Sequence, residues 1–369
     1  MTLETPAAPE RAPLASAPRQ AVAADVILIG HSGQVGSAVA RRLDRIRDRQ
    51  GRPLLRLRET INRSVHRIRS DEGEIEHRSR AGLLAELVDR PQHAKRPLLI
   101  VDCTADSTIP DHYARWLQAG IGVVTPNKHG FSGDRERYDR IQIAARSAGS
   151  PLGYAATVGA GLPVLAALRR LRASGASPRR LRAVVSGTLV RVFAGMQAGQ
   201  TLSDSVAEAQ AAGFTEPDPL EDLSGRDVLR KLRIMLREAG YLSAGIDREP
   251  VVADAWATGA ARSGDVIAAL REQDARWARR LSGARRRGLR WIYEARFDGE
   301  NARVGPVAIS ESDAFRKLSG SDNRVLLDGI GDDATRWVIE GPGAGVEVTA
   351  TAVLSDLAEA VERLRTRAV

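Results

Sequence analysis

The stretch Asp25-Val-Ile-Leu-Ile29-Gly30-His-Ser-Gly33-Gln-Val-Gly36 decides how this chain folds. Its short apolar run, stopped abruptly by glycine, predicts a buried β-strand. Directly after the glycines, Val35, Val39 and Leu43 recur at helical spacing. A glycine turn between strand and helix places backbone N–H groups and the positive helix end where a pyrophosphate is held. The spacing is GxxGxxG, one residue longer than the usual dinucleotide fingerprint, so context carries the reading: first strand, glycine turn, helix at once. Gly30, Gly33, Gln34, Val35 and Gly36 are the residues expected to face a nicotinamide dinucleotide.

Working outward, the same alternation continues. Strands are predicted over Pro53–Ile61, Pro97–Cys103 and Ile121–Val124, with helices over Asp111–Ala119 and Asp134–Ala148. Strands alternating with helices specify an α/β, Rossmann-type doubly wound parallel sheet, assigned to residues 25–153. The Ala- and Pro-rich residues 1–24 lack the apolar core of a secretory signal and are expected to be a disordered leader. The second strand ends in Asn62-Arg63-Ser64 with no acid at its tip. An acid there would grip a ribose 2′-OH, whereas Arg63, with Arg67 nearby, tolerates a 2′-phosphate, which favours NADP over NAD.

Beyond Tyr154 the pattern changes to an α+β region, residues 154–340. A turn at Val158-Gly-Ala-Gly161 leads to a helix over Leu162–Ala173, a strand is expected over 180–188, and helices over 189–197, 201–212 and 223–239. Short alternating strands between Leu289 and Leu327 predict an antiparallel sheet. The turn Gly341-Pro-Gly-Ala-Gly345 opens a last helix over about 349–366, in a segment (341–369) expected to return to the nucleotide-binding part and help build a dimer interface.

Composition removes several function classes. The net charge is +9, but basic residues are interleaved with acids, as in Asp134-Arg-Glu-Arg-Tyr-Asp139, and aromatics are only 4%. That is too few for base-stacking platforms, so no nucleic acid is expected. The basic run Ala284–Arg290 reads as a solvated helix end. No run of eighteen apolar residues exists, so no membrane span is expected. The lone Cys103 excludes an internal disulfide framework and suits a reducing, cytoplasmic setting. It ends a strand and reads as a small buried residue. His31 and His129 flank the motif loops without partners at triad or metal spacing, and no cluster suggests zinc.

Of the 55 basic residues only four are lysine: Lys95, Lys128, Lys231 and Lys317. A position that keeps lysine in so arginine-rich a chain points to an amine that must release a proton, which guanidinium does not do. Lys128 closes Val124-Thr-Pro-Asn-Lys128, at the carboxyl end of the predicted sheet, where ligands bind in open α/β folds. Lys231 closes the densest cluster, Thr215-Glu-Pro-Asp218-Pro-Leu-Glu-Asp222-Leu-Ser-Gly-Arg-Asp227-Val-Leu-Arg-Lys231. Two prolines stiffen the loop projecting Glu216 and Asp218, and Asp222 or Ser224 is placed to cap the helix that follows. Asp227 and Lys231 are four apart and share a helix face. By spacing alone they read as an exposed salt bridge. The adjacent apolar stripe of Leu223, Val228, Leu232 and Met235 argues for partial burial, where a lysine beside a carboxylate exchanges a proton with a carbonyl oxygen.

In order, VDCT (101–104), VVTPNK (123–128), TVGAGLPV (157–164), SGTL (186–189), TEPDPLEDLSGRDVLRK (215–231) and GPGAG (341–345) resemble homoserine dehydrogenases, most of all the dehydrogenase half of bifunctional aspartokinase–homoserine dehydrogenases. The resemblance runs from about residue 25 to the C-terminus. It implies NAD(P)-dependent interconversion of aspartate β-semialdehyde and homoserine, a small-molecule amino-acid substrate, a place in threonine, methionine and isoleucine biosynthesis, and a homodimer. It assigns Glu216 and Asp222, with Gly187 and Thr188, to the substrate, and Lys128, Asp227 and Lys231 to the reacting oxygen. Thr104, Lys128 and Gly345 join the glycine loop around the cofactor. A sodium or potassium ion is implied at the backbone of Val158, Ala160 and Leu162.

The chain departs from the family at Ala155, where an acidic ligand is common, at Val190-Arg191 after SGTL, and at Leu220-Glu221. Two alternatives stay open at this point. One is a related reductase acting on another semialdehyde or homoserine analogue; the other is a catalytically silent dinucleotide-binding homologue.

Overall fold

The computed structural model describes residues 23–70, 73–216, 218–254, 257, 265–318, 320, 322–331 and 335–367. The expected disordered leader lies outside the described residues up to 22. Ala24, placed in that leader by the sequence reading, is instead the first residue of a strand and fully buried.

The first sheet has seven strands: β1 (Ala24–Ile29), β2 (Leu55–Ile61), β3 (Val65–Ser70), β4 (Gly73–Arg78), β5 (Leu98–Asp102), β6 (Gly122–Val124) and β7 (Leu152–Gly153), in the order β4-β3-β2-β1-β5-β6-β7. From β2 to β7 all neighbours run parallel, while β3 and β4 form an antiparallel hairpin added at one edge. Strand order reverses between β1 and β5, the switch point where such sheets open a crevice at their carboxyl ends.

Alternate residues of β1 enter two different cores, which is why its sequence reads as continuously apolar. Ile27 and Ile29, with Ile100 and Val123, pack under the helices Tyr113–Gln118 and Arg135–Ala148. Val26 and Leu28, with Leu99, Val101 and Val124, pack under the helices Gln34–Arg42 and Val346–Arg367. The last helix thus returns across the whole chain to cover the first sheet. It buries Ala350, Val353, Leu357 and Val361 at helical spacing, and Arg42 donates to Glu347 and Thr351 on its first turns.

The second sheet comprises β8 (Arg180–Val184), β9 (Ile246–Arg248), β10 (Arg290–Phe297), β11 (Ala302–Ile309), β12 (Asp322–Asp328) and β13 (Arg336–Pro342), ordered β13-β12-β8-β10-β11-β9. It is antiparallel apart from the β11–β9 pair. Helices Gly187–Ala198, Leu202–Ala211, Arg226–Glu238 and Val266–Arg285 share the main core with one face of it. The opposite face carries a small cluster around Phe315.

Two expectations need correction. The strand predicted to reach residue 188 ends at Val184, because Ser186 caps a helix beginning at Gly187 by accepting the Leu189 N–H. The single helix predicted over 223–239 is two, Pro219–Leu223 and Arg226–Glu238, parted by Gly225 at φ +69°. A Cβ on Gly225 would lie 1.8 Å from Tyr293 Oη, so glycine is required twice over.

Asp356 on the last helix is buried, and its carboxylate accepts the Ala155 N–H at 2.8 Å. Burial pushes this carboxyl up to about 6. A carboxyl raised in the fold is disfavoured once ionised, so the penalty is present above about pH 6 and absent below the ordinary value of 3.8. Asp356→Asn keeps an acceptor for Ala155 and removes the charge. Chemical denaturation should show it more stable by about 2 kcal/mol at pH 7.5, with the gain gone near pH 3.5. Equal gains at both pH values would refute the electrostatic account.

Candidate functional site

The switch point is built from backbone packing. Gly30 adopts φ +80°, and a Cβ there would come within 2.8 Å of Thr104 Cγ2. The loop after β5 therefore rests directly on the glycine loop after β1. A Cβ on Gly36 would fall 2.2 Å from the Gly30 carbonyl oxygen. Gly33 precedes the helix Gln34–Arg42, whose N-terminus has no side-chain cap and no acid in its first turn. These open N–H groups and the close-packed glycines fit a dinucleotide pyrophosphate. Arg63 is exposed at the tip of the β2–β3 hairpin, next to Asn62, which donates to Ser32 of the loop at 3.3 Å. Arg67 pairs with Glu76 at 2.7 Å, and its Nη1 lies 3.5 Å from His31 Nε2 of the glycine loop.

Under this crevice lies a polar knot that the sequence reading did not single out. Asp102, fully buried at the end of β5, accepts from the Thr104 N–H and hydroxyl, from Asn127 Nδ2 at 3.0 Å and from the Tyr113 hydroxyl. Burial raises the Asp102 carboxyl, and the four donors oppose that rise. Asn127 also donates to the Asp106 carbonyl and accepts the His129 N–H. The loop carrying Lys128 is thereby fixed to the end of β5. Cys103 follows as a partly buried thiol, raised by burial and by Asp102.

Lys128 and Lys231, distant in sequence, meet on one carboxylate. Lys128 Nζ lies 3.2 Å from Asp227 Oδ1, and Lys231 Nζ lies 2.9 Å from Asp227 Oδ2. Lys231 also donates to the Val185 carbonyl at 2.6 Å, and its side chain is 11% exposed against 30% for Lys128. Burial pushes the Asp227 carboxyl up, but the two ammonium groups outweigh it and hold it well below the usual carboxylate range. The trio keeps a net positive charge at the carboxyl end of the first sheet, facing the second.

The remaining residues gather nearby. The Asp222 carboxylate accepts the Glu216 N–H at 2.8 Å, and burial raises it to about 6. Thr188, on the first turn after the Ser186 cap, donates to the Phe214 carbonyl, and Gly187 beside it is buried. Glu216 is exposed, and Pro217 lies outside the described residues. Asp218 serves structure: it caps the helix Pro219–Leu223 by accepting the Leu220 N–H. Ser224, not Asp222, accepts the Arg226 N–H at the next helix. Gly345 opens the last helix at φ +121°, and Val348 of that helix meets Gly161 while Leu162 meets Gly341. Two glycine turns are thus packed together.

Residues 163–358 match the family described as homoserine dehydrogenase, and residues 32–155 match its NAD binding domain. A homoserine dehydrogenase of Emericella nidulans is 36% identical over 72% of this chain and 76% of its own length. The chain belongs to the homoserine dehydrogenase family. A chloroplastic bifunctional aspartokinase/homoserine dehydrogenase 1 of Zea mays is 37% identical over 70% of the chain, which spans only 28% of that relative. A hyperthermophilic archaeal homoserine dehydrogenase solved with NADPH shares the fold, with TM-score 0.69 at 21% identity over 91% of this chain and 97% of that one.

The turn Val158–Leu162 offers a cation neutral backbone carbonyls. The Leu162 carbonyl already accepts the Val164 N–H at 2.8 Å, and the acid common in the family is Ala155. Asp356 accepts the Ala155 N–H at 2.8 Å. The turn thus presents backbone carbonyls without a carboxylate at position 155. Arg191, the departure after SGTL, stacks on Phe214 at 4.4 Å and pairs with Glu208, so it is turned toward the neighbouring helix. Among the described residues no helix is long and apolar enough to cross a membrane.

Proposed function

We propose that this chain interconverts aspartate β-semialdehyde and homoserine with a nicotinamide dinucleotide, Lys231 and Lys128 managing the proton at the reacting oxygen. The observation that carries this reading is the Lys128–Asp227–Lys231 trio at the mouth of the dinucleotide crevice. When bound, the reduced dinucleotide supplies the hydride to the aldehyde carbon. As that carbon is reduced, its oxygen gains negative charge, which the net positive trio stabilises. Lys231, oriented by Asp227 and the Val185 carbonyl, protonates the alkoxide; in the oxidation direction it takes the hydroxyl proton back. Asp227 does not relay the proton, because two ammonium groups keep it ionised. Its work is to orient both amines. Purified chain should reduce NADP when given homoserine, read by near-ultraviolet absorbance. A folded protein that binds the dinucleotide yet turns over no homoserine would sink the proposal.

Asp222 and Glu216 are proposed to receive the substrate's ammonium group, with Gly187 and Thr188 shaping the same pocket. Asp222 must be ionised to do so. Since its carboxyl is raised to about 6, KM for homoserine should climb below that pH, by roughly tenfold per unit once most of it is protonated. KM for the dinucleotide should stay level over the same range. A flat homoserine profile from pH 5 to 8 would remove Asp222 from the substrate site.

The 2′-phosphate reading rests on exposed Arg63 at the β2 tip. Arg63→Ala should raise KM for NADP about tenfold, the loss of one charge-assisted contact, and leave KM for NAD unchanged. Equal effects on both cofactors would defeat the NADP preference. A homodimer is proposed through the outer edge of β13, which has no strand partner among the described residues and where Val338 is 54% exposed. A cytoplasmic site is proposed from the lone cysteine alone.

A further inference from the structure

A cavity of about 160 Å³ opens beside the C-terminal half of the helix Arg226–Glu238, lined by Arg233, Arg237, Tyr241 and Ser243 among others. Arg237 is 4% exposed, among the most deeply buried charged side chains described. Its guanidinium donates Nη1 to the Phe131 carbonyl at 2.5 Å and Nη2 to the Gly133 carbonyl at 2.8 Å, while Arg233 Nη1 donates to the Ser132 carbonyl at 3.0 Å. All three acceptors are neutral. Arg237 Nε is buried with no hydrogen-bond partner, and its guanidinium carbon lies 4.9 Å from the Tyr138 ring.

The surroundings supply no direct ion pair, only the more distant charge of Asp139. Among the described residues no carboxylate pairs with Arg233 or Arg237. The nearest acids are spent: Asp139 pairs with Arg135 at 2.6 Å, and Glu238 is taken by Arg169 and the Tyr154 hydroxyl. Arg135 itself reaches Ser243 on the cavity wall at 3.3 Å. Burial, together with Arg233 and Arg135, lowers the affinity of Arg237 for its own proton, and Tyr138 and Asp139 offset only part of this. A buried guanidinium held only by neutral carbonyls, with two like charges close by, is unfavourable until an anion joins it.

We propose that this cavity is a binding site for one small oxyanion, a phosphate or carboxylate group, held by Arg233 and Arg237. Guanidinium suits either, since it carries five N–H donors and the three carbonyl contacts leave the others of Arg233 and Arg237 for an oxyanion. The site bears on the active centre through the same two arginines. They grip the carbonyls of residues 131–133, and the Lys128 carbonyl accepts the Phe131 and Ser132 N–H groups. An oxyanion that completes the charge balance therefore firms the segment carrying Lys128.

The test needs neither turnover nor the proposed reaction, so its failure stays separate from a failure of that reading. Inorganic phosphate is titrated calorimetrically into the full chain at constant ionic strength, with melting temperature followed in parallel. Saturable binding that persists when the dinucleotide fills the nucleotide crevice, and a rise in Tm, are expected. Arg233→Gln should weaken binding about tenfold, the loss of one charge-assisted contact. Ser243→Glu supplies a carboxylate from the cavity wall; it should abolish phosphate binding and melt above wild type without phosphate, a gain no misfolded variant shows. Arg63→Gln, at the nucleotide crevice, should bind phosphate as wild type does. No saturable heat in the wild type, or dinucleotide-insensitive phosphate binding that survives Ser243→Glu, overturns the proposal.

Discussion

Lys231→Met is expected to lower kcat for homoserine oxidation by about 10³-fold, within the range that a positioned acid–base group supplies, with KM for the dinucleotide changed by no more than a few-fold. Methionine keeps most of the unbranched stem that packs this nearly buried side chain, and it deletes the amine that meets Asp227 and the Val185 carbonyl. The loss leaves that carbonyl without its donor, so stability should fall by about 1–3 kcal/mol, visible in denaturant but too little to unfold a chain of this size. Lys128→Met should cost less rate, because Lys128 is more exposed and holds only the other oxygen of Asp227. Lys231→Arg separates charge from proton transfer: guanidinium keeps the positive charge but does not release its proton. If Lys231→Arg retains the wild-type rate, the lysine acts only as a charge. If Lys231→Met keeps the rate within tenfold, the proton passes elsewhere, and Lys128 is the first place to look.

What the sequence made legible follows from which signals are local. β1 and its glycine turn were readable because burial on both faces leaves an unbroken apolar run that glycine ends. The β3–β4 hairpin was not. Its strands carry Arg67 and Arg69 opposite Glu76 and Glu74, so the register is held by cross-strand ion pairs and shows no apolar period. The helix Val266–Arg285 was missed for a similar reason: it buries only Leu270, Trp277, Leu281 and Ala284 among many arginines, too sparse a stripe to stand out. Ser186 was read inside a strand because the β-branched run before it masked the capping signal. At the site, the scarcity of lysine singled out Lys128 and Lys231, and helical spacing paired Asp227 with Lys231. That one carboxylate holds both lysines is a tertiary fact, since Lys128 reaches it from the loop after β6 and Lys231 from the helix Arg226–Glu238. Asp102 was in view within VDCT, yet a polar residue ending a strand looks like the start of a loop. Only the fold shows its four donors. Arg233 and Arg237 had no signal at all in a chain where arginine is everywhere.

Gly36→Ala should weaken reduced-dinucleotide binding about a hundredfold, close to 3 kcal/mol, while the sheet beneath stays folded. The added Cβ would sit 2.2 Å from the Gly30 carbonyl oxygen, 2.9 Å from its carbon and 3.1 Å from His31 Cα. These are backbone atoms of the loop proposed to cradle the pyrophosphate, so relief requires moving the cradle itself. The helix face that carries the fold, Ala38 and Val39, is untouched by the change. Gly33→Ala is the matched control. Its Cβ would meet only the Gly30 carbonyl oxygen, at 3.4 Å, and its φ of −73° suits alanine, so the free protein should accept it without rearrangement. Fluorescence titration of the reduced dinucleotide against both variants separates two reasons for glycine here. If only Gly36→Ala fails, the loop's own packing demands glycine. If Gly33→Ala fails as badly, a ligand must approach the backbone at Gly33 too closely for any side chain. If neither fails, this loop does not hold the pyrophosphate, and the extra residue in its GxxGxxG spacing has moved the binding elsewhere in the crevice.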